Sequence, residues 1–181
     1  MKPGEFIEDF ISKDNKHIKI RTIDLCDVKG LLALINQLVD EDALIEVNMR
    51  IDYSSEIDYV AGKVKALLAG SEIAIVATVD DKIVAQANMT KGSWRSKDIG
   101  NIGIAIANGY RGIGLGNEMM KLLLDLAKKD NYRIAMLEVF SINEPARKLY
   151  EKLGFKVVGI VPNAYKIKDK YIDNVIMYRE I

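Results

Sequence analysis

The sequence predicts a single α/β (α+β) domain, in which helices cover both faces of a mixed central sheet. Strand-like segments that can pair as hairpins come first, and two strand–helix units follow them. The length of 181 residues allows one hydrophobic core and leaves too little chain for two ordinary domains. We therefore expect one domain over residues 17–181, with an extension over residues 1–16 before it.

The first half of the chain supplies the extension, the first helices and a hairpin. Apolar residues at helical spacing predict a short amphipathic helix over Met1–Asn15. Asp80-Asp81 predicts a hairpin turn between two strands. In order, the patterns predict a strand over His17–Ile23, a helix over Asp24–Val39, a surface loop over Asp40–Tyr53, a helix over Ser54–Leu68, and strands over Ile73–Val79 and Lys82–Thr90.

The second half alternates strands with helices and ends on two strands. Asn143 is a good N-cap residue, Pro145 suits a first helical turn, and Gly154 suits a helix end. The predicted elements are a strand over Ile99–Ala107, a helix over Leu115–Lys129, a buried strand over Ile134–Phe140, a helix from Asn143 to Gly154, and closing strands over Phe155–Val161 and Tyr171–Arg179.

Composition excludes several functions. The 26 basic and 26 acidic residues balance, so we expect neither a nucleic acid nor a membrane as partner. Cys26 is the only cysteine and His17 the only histidine, which argues against a disulfide, a metal site and Ser-His-Asp chemistry. The first residues resemble neither a signal peptide nor a membrane span, and a cytoplasmic location is the expectation.

The segment Ile104–Asn117 is the most informative part of the chain. A predicted strand runs into Gly112, Gly114 and Gly116, which open a helix, so backbone N–H groups can converge on a diphosphate. A glycine-rich turn made only for packing is the alternative. A P-loop is excluded because Asn117 follows Gly116 where lysine is required. A dinucleotide site fits poorly, because too few strands and helices remain after it.

A second motif follows in Asn143–Phe155, where Asn143 and Tyr150 lie two helical turns apart on one face. Together with Arg111-x-x-Gly114-x-Gly116, the pattern Asn-x-x-Ala-x-x-x-Tyr-x-x-x-Gly-Phe resembles the GNAT superfamily of N-acetyltransferases. Glu138 lies twelve residues before Tyr150, which is similar to the ribosomal-protein alanine acetyltransferases, and this likeness implies that Glu138 serves as base. The resemblance is specific from Ile99 to Val158. One departure is that Asn108-Gly109 replaces the proline many members carry before the loop.

The resemblance implies a GNAT-like sheet whose splayed strands form a cleft for acetyl-CoA, the co-substrate, with no metal. Main-chain groups of one strand would pair with the pantetheine arm, the loop would hold the diphosphate, and Asn143 and Tyr150 would lie near the thioester. The implied binding residues are Ile104, Ala105, Ile106, Arg111, Gly112, Ile113, Gly114, Leu115, Gly116, Asn117, Asn143 and Tyr150. Asn143 as a helix cap only, and Tyr150 as core packing only, stay open as alternatives.

The expected reaction needs one acid and one base. An amine must lose a proton before it attacks a thioester, and the leaving thiolate is helped by receiving one. Tyr150 is the predicted acid. Glu138 is the predicted base, directly or through water, because it is the only charged residue of an apolar strand and burial should raise its pKa. An ion pair with a lysine or arginine is the alternative for Glu138.

The acceptor is less constrained. The acids Asp40, Glu41, Asp42, Glu46 and Asp52 favour a cationic primary amine, such as a polyamine, a lysine or a protein N-terminus, although such a run is more often solvated surface. Tyr165 and Tyr171 could line the other wall of the acceptor cleft. A homodimer, an acetyl-CoA sensor without turnover and a dinucleotide-binding module remain open.

Overall fold

The central sheet positions every candidate site residue. The computed structural model describes residues 1–181, whose eight strands lie in the order β1-β2-β3-β4-β5-β6-β8-β7. Only β5 and β6 pair in parallel. The strands are β1 (Phe6–Ile11), β2 (His17–Thr22), β3 (Glu72–Val79), β4 (Lys82–Lys91), β5 (Ile99–Ile106), β6 (Ile134–Phe140), β7 (Lys156–Ile167) and β8 (Lys170–Glu180).

Two helices cover each face of this sheet, as expected. Helices α1 and α2 bury Leu34 and Val60 against one face, and α3 and α4 bury Met119 and Tyr150 against the other. The result is two apolar layers with the sheet between them. None of the helices is both long and apolar enough to cross a membrane. The helices are α1 (Val28–Asp40), α2 (Tyr53–Leu68), α3 (Leu115–Lys129) and α4 (Glu144–Lys152).

Most predicted elements are present at nearly the predicted bounds. Asp80 and Asp81 form the predicted hairpin turn, both with positive φ. Helix α1 begins at Val28, later than predicted, because Leu25–Asp27 forms a short 3₁₀ turn in which the Asp24 and Asp27 side chains make a capping box. The closing strands β7 and β8 are longer than predicted and form one hairpin.

The helix predicted over Met1–Asn15 is wrong, because the segment forms strand β1 and pairs with β2. A bulge in β1, between Phe6 and Glu8, explains the misleading pattern. The bulge inserts an extra residue into the alternation of side chains, so that Ile7 and Phe10 both pack on the same core. The three-residue spacing of apolar side chains that predicted a helix is therefore produced here by a bulged strand. The sheet consequently includes the extension predicted to precede the domain.

Strands β5 and β6 separate halfway along their length. Their pairing runs from Ile99 opposite Ile134 to Ile102 opposite Leu137 and goes no further. Beyond that point β5 still pairs with β4 through Ile106, and β6 still pairs with β8 through Phe140. The splayed ends therefore leave a row of β5 main-chain groups without a neighbouring strand.

Candidate active site

A cleft of about 510 Å³ opens at these splayed ends. Its volume is typical of a ligand pocket. One wall is β5, another is α4, and the glycine loop before α3 closes one end. Ten of the predicted binding residues line the cleft: Ile104, Ala105, Ile106, Arg111, Gly112, Gly114, Gly116, Asn117, Asn143 and Tyr150.

The glycine loop requires glycine at Gly112 and Gly114 because their φ angles are +75° and +98°. L-residues with side chains rarely adopt this left-handed region. A Cβ at Gly112 would meet no atom within 4 Å, so conformation rather than space selects glycine there. Of the two other predicted loop residues, Leu115 buries its side chain in the core and Ile113 packs against it. These two could offer only backbone groups to a ligand.

Arg111 lines the cleft and already has partners within the chain. Its Nε donates to the carbonyl oxygen of Ile106 at 2.8 Å, and its guanidinium forms an ion pair with Glu41. Arg111 thus connects the glycine loop to the end of β5 and to the loop after α1. A diphosphate bound by Arg111 would have to share it with Glu41 or replace that carboxylate.

Asn143 and Tyr150 serve the fold and also face the cleft. Asn143 caps α4 by accepting a hydrogen bond from the Ala146 N–H at 3.3 Å. Tyr150 is 7% exposed and packs near Phe155, with ring centroids 6.0 Å apart. Burial raises the pKa of Tyr150 to about 12. The phenol therefore keeps its proton at neutral pH, as a general acid must.

The burial predicted for Glu138 is wrong, since its side chain is exposed. Leu137 and Val139 point into the core, so the intervening Glu138 points to the opposite face of the sheet. That face is uncovered here because α1 and α2 pack on strands nearer β2. Glu138 accepts a hydrogen bond from the Asn174 amide and forms no ion pair with a lysine or arginine of the chain. Glu138 remains a candidate base because it lies in the splayed part of β6, and not because it is buried.

Tyr165 and Glu46 lie near Glu138. The Tyr165 ring stacks on Phe140 at a centroid distance of 4.3 Å, and its hydroxyl donates to Glu46 at 3.0 Å. Burial, this hydrogen bond and the charges of Glu46 and Glu138 raise the pKa of Tyr165 to about 12. Tyr171, predicted to line the same wall, is instead 62% exposed. Of the two tyrosines, only Tyr165 therefore lies near the candidate base Glu138.

Three of the five acids from Asp40 to Asp52 are neutralised within the chain. Asp40, Glu41 and Asp42 each have a cationic partner within the chain, which compensates the charge that would attract a cationic acceptor. Glu46 and Asp52 accept hydrogen bonds from neutral donors and keep their charge. The pairs are Asp40 with Arg50, Glu41 with Arg111, Asp42 with Lys168, Glu46 with Tyr165, and Asp52 with the Ser55 backbone N–H.

The sequence did not reveal several cleft residues. Lys13, Lys152 and the segment Ala43–Ile45 line the cleft, and Asn174 touches Glu138. Lys13 lies in the segment predicted to be a helix, so its place could not be seen. Lys152 carried a usable signal, since it lies within the second motif, two residues after Tyr150.

A match to a family model decides which interpretation of the two motifs is correct. Residues 36–155, well over half of the chain, match the model of the acetyltransferase (GNAT) family. The chain belongs to the GNAT family. Both motifs that carry the resemblance lie inside the matched range, and the mixed sheet with its splayed strands is the GNAT fold expected from them.

Relatives and a solved structure agree with this assignment. A Bacillus subtilis protein named as a ribosomal protein bS18 alanine N-acetyltransferase is 39% identical over 75 residues, which cover 41% of this chain and 50% of that protein. This GNAT chain thus spans about half the length of that relative. A methionine sulfoximine and methionine sulfone acetyltransferase of Pseudomonas paraeruginosa is 21% identical over 85% of this chain and 89% of its own. The yncA structure from Salmonella typhimurium, which holds its cofactor acetyl-CoA, has a TM-score of 0.78 at 18% identity and covers 90% of this chain and 93% of that chain.

The cleft of this GNAT chain fits acetyl-CoA, the co-substrate of the family. Three cations and no carboxylate line it. The free main-chain edge of β5 offers hydrogen bonds to the amide groups of a pantetheine arm, in the manner of an added strand. The glycine loop at the start of α3 suits a diphosphate.

Proposed function

We propose that the protein transfers acetyl from acetyl-CoA directly to a primary amine, with both substrates bound at once. The observation that carries this proposal is one continuous cleft that joins the glycine loop to the Tyr150 side chain. A loop for the diphosphate and an acid for the departing thiolate thus border the same space. Acetyl-CoA supplies an activated acyl thioester.

The binding roles follow the lining of the cleft. Main-chain groups of Ile104–Ile106 hold the pantetheine arm at the free edge of β5. Backbone N–H groups from Gly112 to Asn117, together with Arg111, hold the diphosphate. Asn143 uses its side-chain oxygen as a helix cap. Its amide N–H groups are therefore what it offers to the thioester region.

The chemical roles follow from protonation states. Tyr150 gives a proton to the sulfur of the leaving thiolate, and its pKa of about 12 keeps that proton on the phenol at neutral pH. Glu138 takes a proton from the acceptor amine, directly or through water. Its exposure on the open face of the sheet leaves it accessible to an acceptor arriving from that side. No covalent intermediate with the protein is required.

The acceptor is a primary amine: a small amine, a lysine side chain or a protein N-terminus. Three of the five acids from Asp40 to Asp52 are paired with cations, which weakens the argument for a strongly cationic acceptor such as a polyamine. Glu138 and the nearby Glu46 both lack a cationic partner, so an ammonium group near these two acids is the charge pattern that the site favours. The alternative function is regulatory binding of acetyl-CoA without turnover.

The experiment is thiol release from acetyl-CoA, followed with a thiol-reactive dye against small amines, amino acids, polyamines and peptides with free N-termini or lysines. We expect release that depends on one acceptor class and falls about 10²-fold or more in Tyr150→Phe. Tyr132→Phe is the matched control, because Tyr132 is also buried but its hydroxyl has no hydrogen-bond partner and lies outside the cleft.

The outcomes separate the two functions. Acceptor-dependent release that survives in Tyr132→Phe and is lost in Tyr150→Phe supports catalysis. Binding of acetyl-CoA without release for any acceptor supports the regulatory alternative. Failure of acetyl-CoA to raise the melting temperature of the wild-type protein would reject both.

A further inference from the structure

The turn between β1 and β2 reaches the glycine loop. The backbone N–H of Lys13 in this turn donates to the carbonyl oxygen of Ile113 at 3.1 Å. The Phe10 ring lies 3.4 Å from where a Cβ at Gly114 would be, and the Lys13 Cε lies 3.9 Å from the same point. Lys16 places its ammonium over the Tyr110 ring, 5.5 Å from the centroid. The hairpin therefore supports the loop from several sides.

The turn itself is held in shape by local hydrogen bonds. The Ser12 N–H donates to the Lys16 carbonyl at 3.0 Å, and the Lys16 N–H donates to the Ser12 hydroxyl at 2.9 Å. Asn15 takes a positive φ of 60°, which closes the turn. Lys13 thus projects from an anchored turn rather than from a free end of the chain.

The charged residues that line the cleft are all positive, and two of the three are uncompensated. Lys13, Arg111 and Lys152 are the charged residues of the lining, and no carboxylate accompanies them. Arg111 is paired with Glu41, whereas neither Lys13 nor Lys152 takes part in an ion pair. Free cations gathered in one cleft of a chain with zero formal net charge point to an anion that binds there.

We propose that Lys13 is a phosphate-binding residue, through which the β1–β2 hairpin forms part of the acetyl-CoA site, together with Lys152 on α4. The proposal rests on the proposed function, since it takes acetyl-CoA as the ligand. The anion is either the diphosphate or the 3′-phosphate of that ligand. Residues 1–16 would then be part of the site rather than an appendage to it.

The test is a calorimetric titration of acetyl-CoA into the wild-type protein and into Lys13→Gln. We expect Lys13→Gln to bind acetyl-CoA about fivefold more weakly, the size of effect that a solvent-exposed ion pair can have. Lys13→Arg keeps the charge and should restore most of the affinity. Binding by Lys13→Gln should also depend less on salt, since one cation fewer meets the phosphates.

Lys19→Gln is the matched control. Lys19 is exposed on β2 of the same hairpin but does not line the cleft, so its substitution removes the same charge from the protein and should leave affinity unchanged. An equal loss in Lys19→Gln would mean that only the overall charge matters, and it would overturn the proposal.

Titration with 3′-dephospho-CoA distinguishes the two phosphates. If Lys13→Gln weakens acetyl-CoA but not 3′-dephospho-CoA, Lys13 binds the 3′-phosphate; if it weakens both equally, Lys13 binds the diphosphate. Wild-type affinity in Lys13→Gln for both ligands would refute the role of Lys13 and leave the proposed function intact. A wild-type protein that binds neither ligand would overturn the proposed function as well.

Discussion

Gly114→Ala separates the cost of backbone strain from the loss of the ligand site. Gly114 is the N-cap of α3 and has φ of +98°. Holding an L-residue in a left-handed conformation costs roughly 1–2 kcal/mol. In a protein of this size that cost lowers the melting temperature by about 2–8 °C. The new Cβ would also lie 3.4 Å from the Phe10 ring, an ordinary contact that adds little.

Gly114→Ala should affect the binding of acetyl-CoA more strongly than it affects the stability of the fold. If Gly114 leaves its left-handed conformation to relieve the strain, the backbone N–H groups at the start of α3 no longer point at one place. Losing one hydrogen bond to a charged group weakens binding by about tenfold or more. We therefore expect Gly114→Ala to remain folded and to bind acetyl-CoA at least about tenfold more weakly by calorimetry.

Gly70→Ala is the control for strain alone. Gly70 has φ of +68°, follows α2, lies outside the cleft, and has no atom within 4 Å of its would-be Cβ. It should lose a similar amount of stability and keep wild-type affinity. Undiminished affinity in Gly114→Ala would refute the assignment of this loop as the diphosphate site.

Three further predictions address the remaining parts of the site. Glu138→Gln should lower kcat/KM by about 10²-fold or more and leave the acetyl-CoA dissociation constant unchanged, which steady-state kinetics and calorimetry would show; an unchanged kcat/KM would exclude Glu138 as the base. Glu41→Gln should release Arg111 and tighten acetyl-CoA binding about twofold, and weaker binding would contradict a competition between Glu41 and the ligand. Burial raises the pKa of Tyr132 and Tyr150 to about 12, against about 10 in an unfolded chain. The stability that depends on their protonated forms is therefore complete below pH 10 and is lost as pH rises through 12. Chemical denaturation between pH 9 and pH 12 should show that loss, with a smaller loss in Tyr132→Phe.

Sequence periodicity was sufficient to predict a helix or strand where one face of that element is buried. The spacing of Met119 and Leu123 predicted α3 with correct bounds, and the apolar run Ile134–Phe140 predicted β6. The cleft was implied by the resemblance of the two motifs to the GNAT superfamily. Ten of the twelve binding residues that the resemblance implied line this cleft.

Periodicity failed to predict the structure where a bulge changed the spacing of apolar residues, or where neighbouring elements determined whether a side chain is exposed. Ile7 and Phe10 have helical spacing only because β1 contains a bulge. Glu138 is exposed because the helices cover the other half of its sheet face, which no local pattern reveals. The hydrogen bond between Asn174 and Glu138 joins residues 36 positions apart. Contacts of this kind depend on strand order, and the order β6-β8-β7 places the last strand inside the sheet.

Direct transfer to an amine is the central claim, and mass spectrometry tests it most directly. The protein would be incubated with isotopically labelled acetyl-CoA and the amine that gives the strongest thiol release, and the masses of both the amine and the protein would be measured. We predict that the amine gains one labelled acetyl group while the mass of the protein stays unchanged throughout turnover. Labelled acetyl on the protein as an intermediate, or thiol release without acetylated amine, would contradict the account.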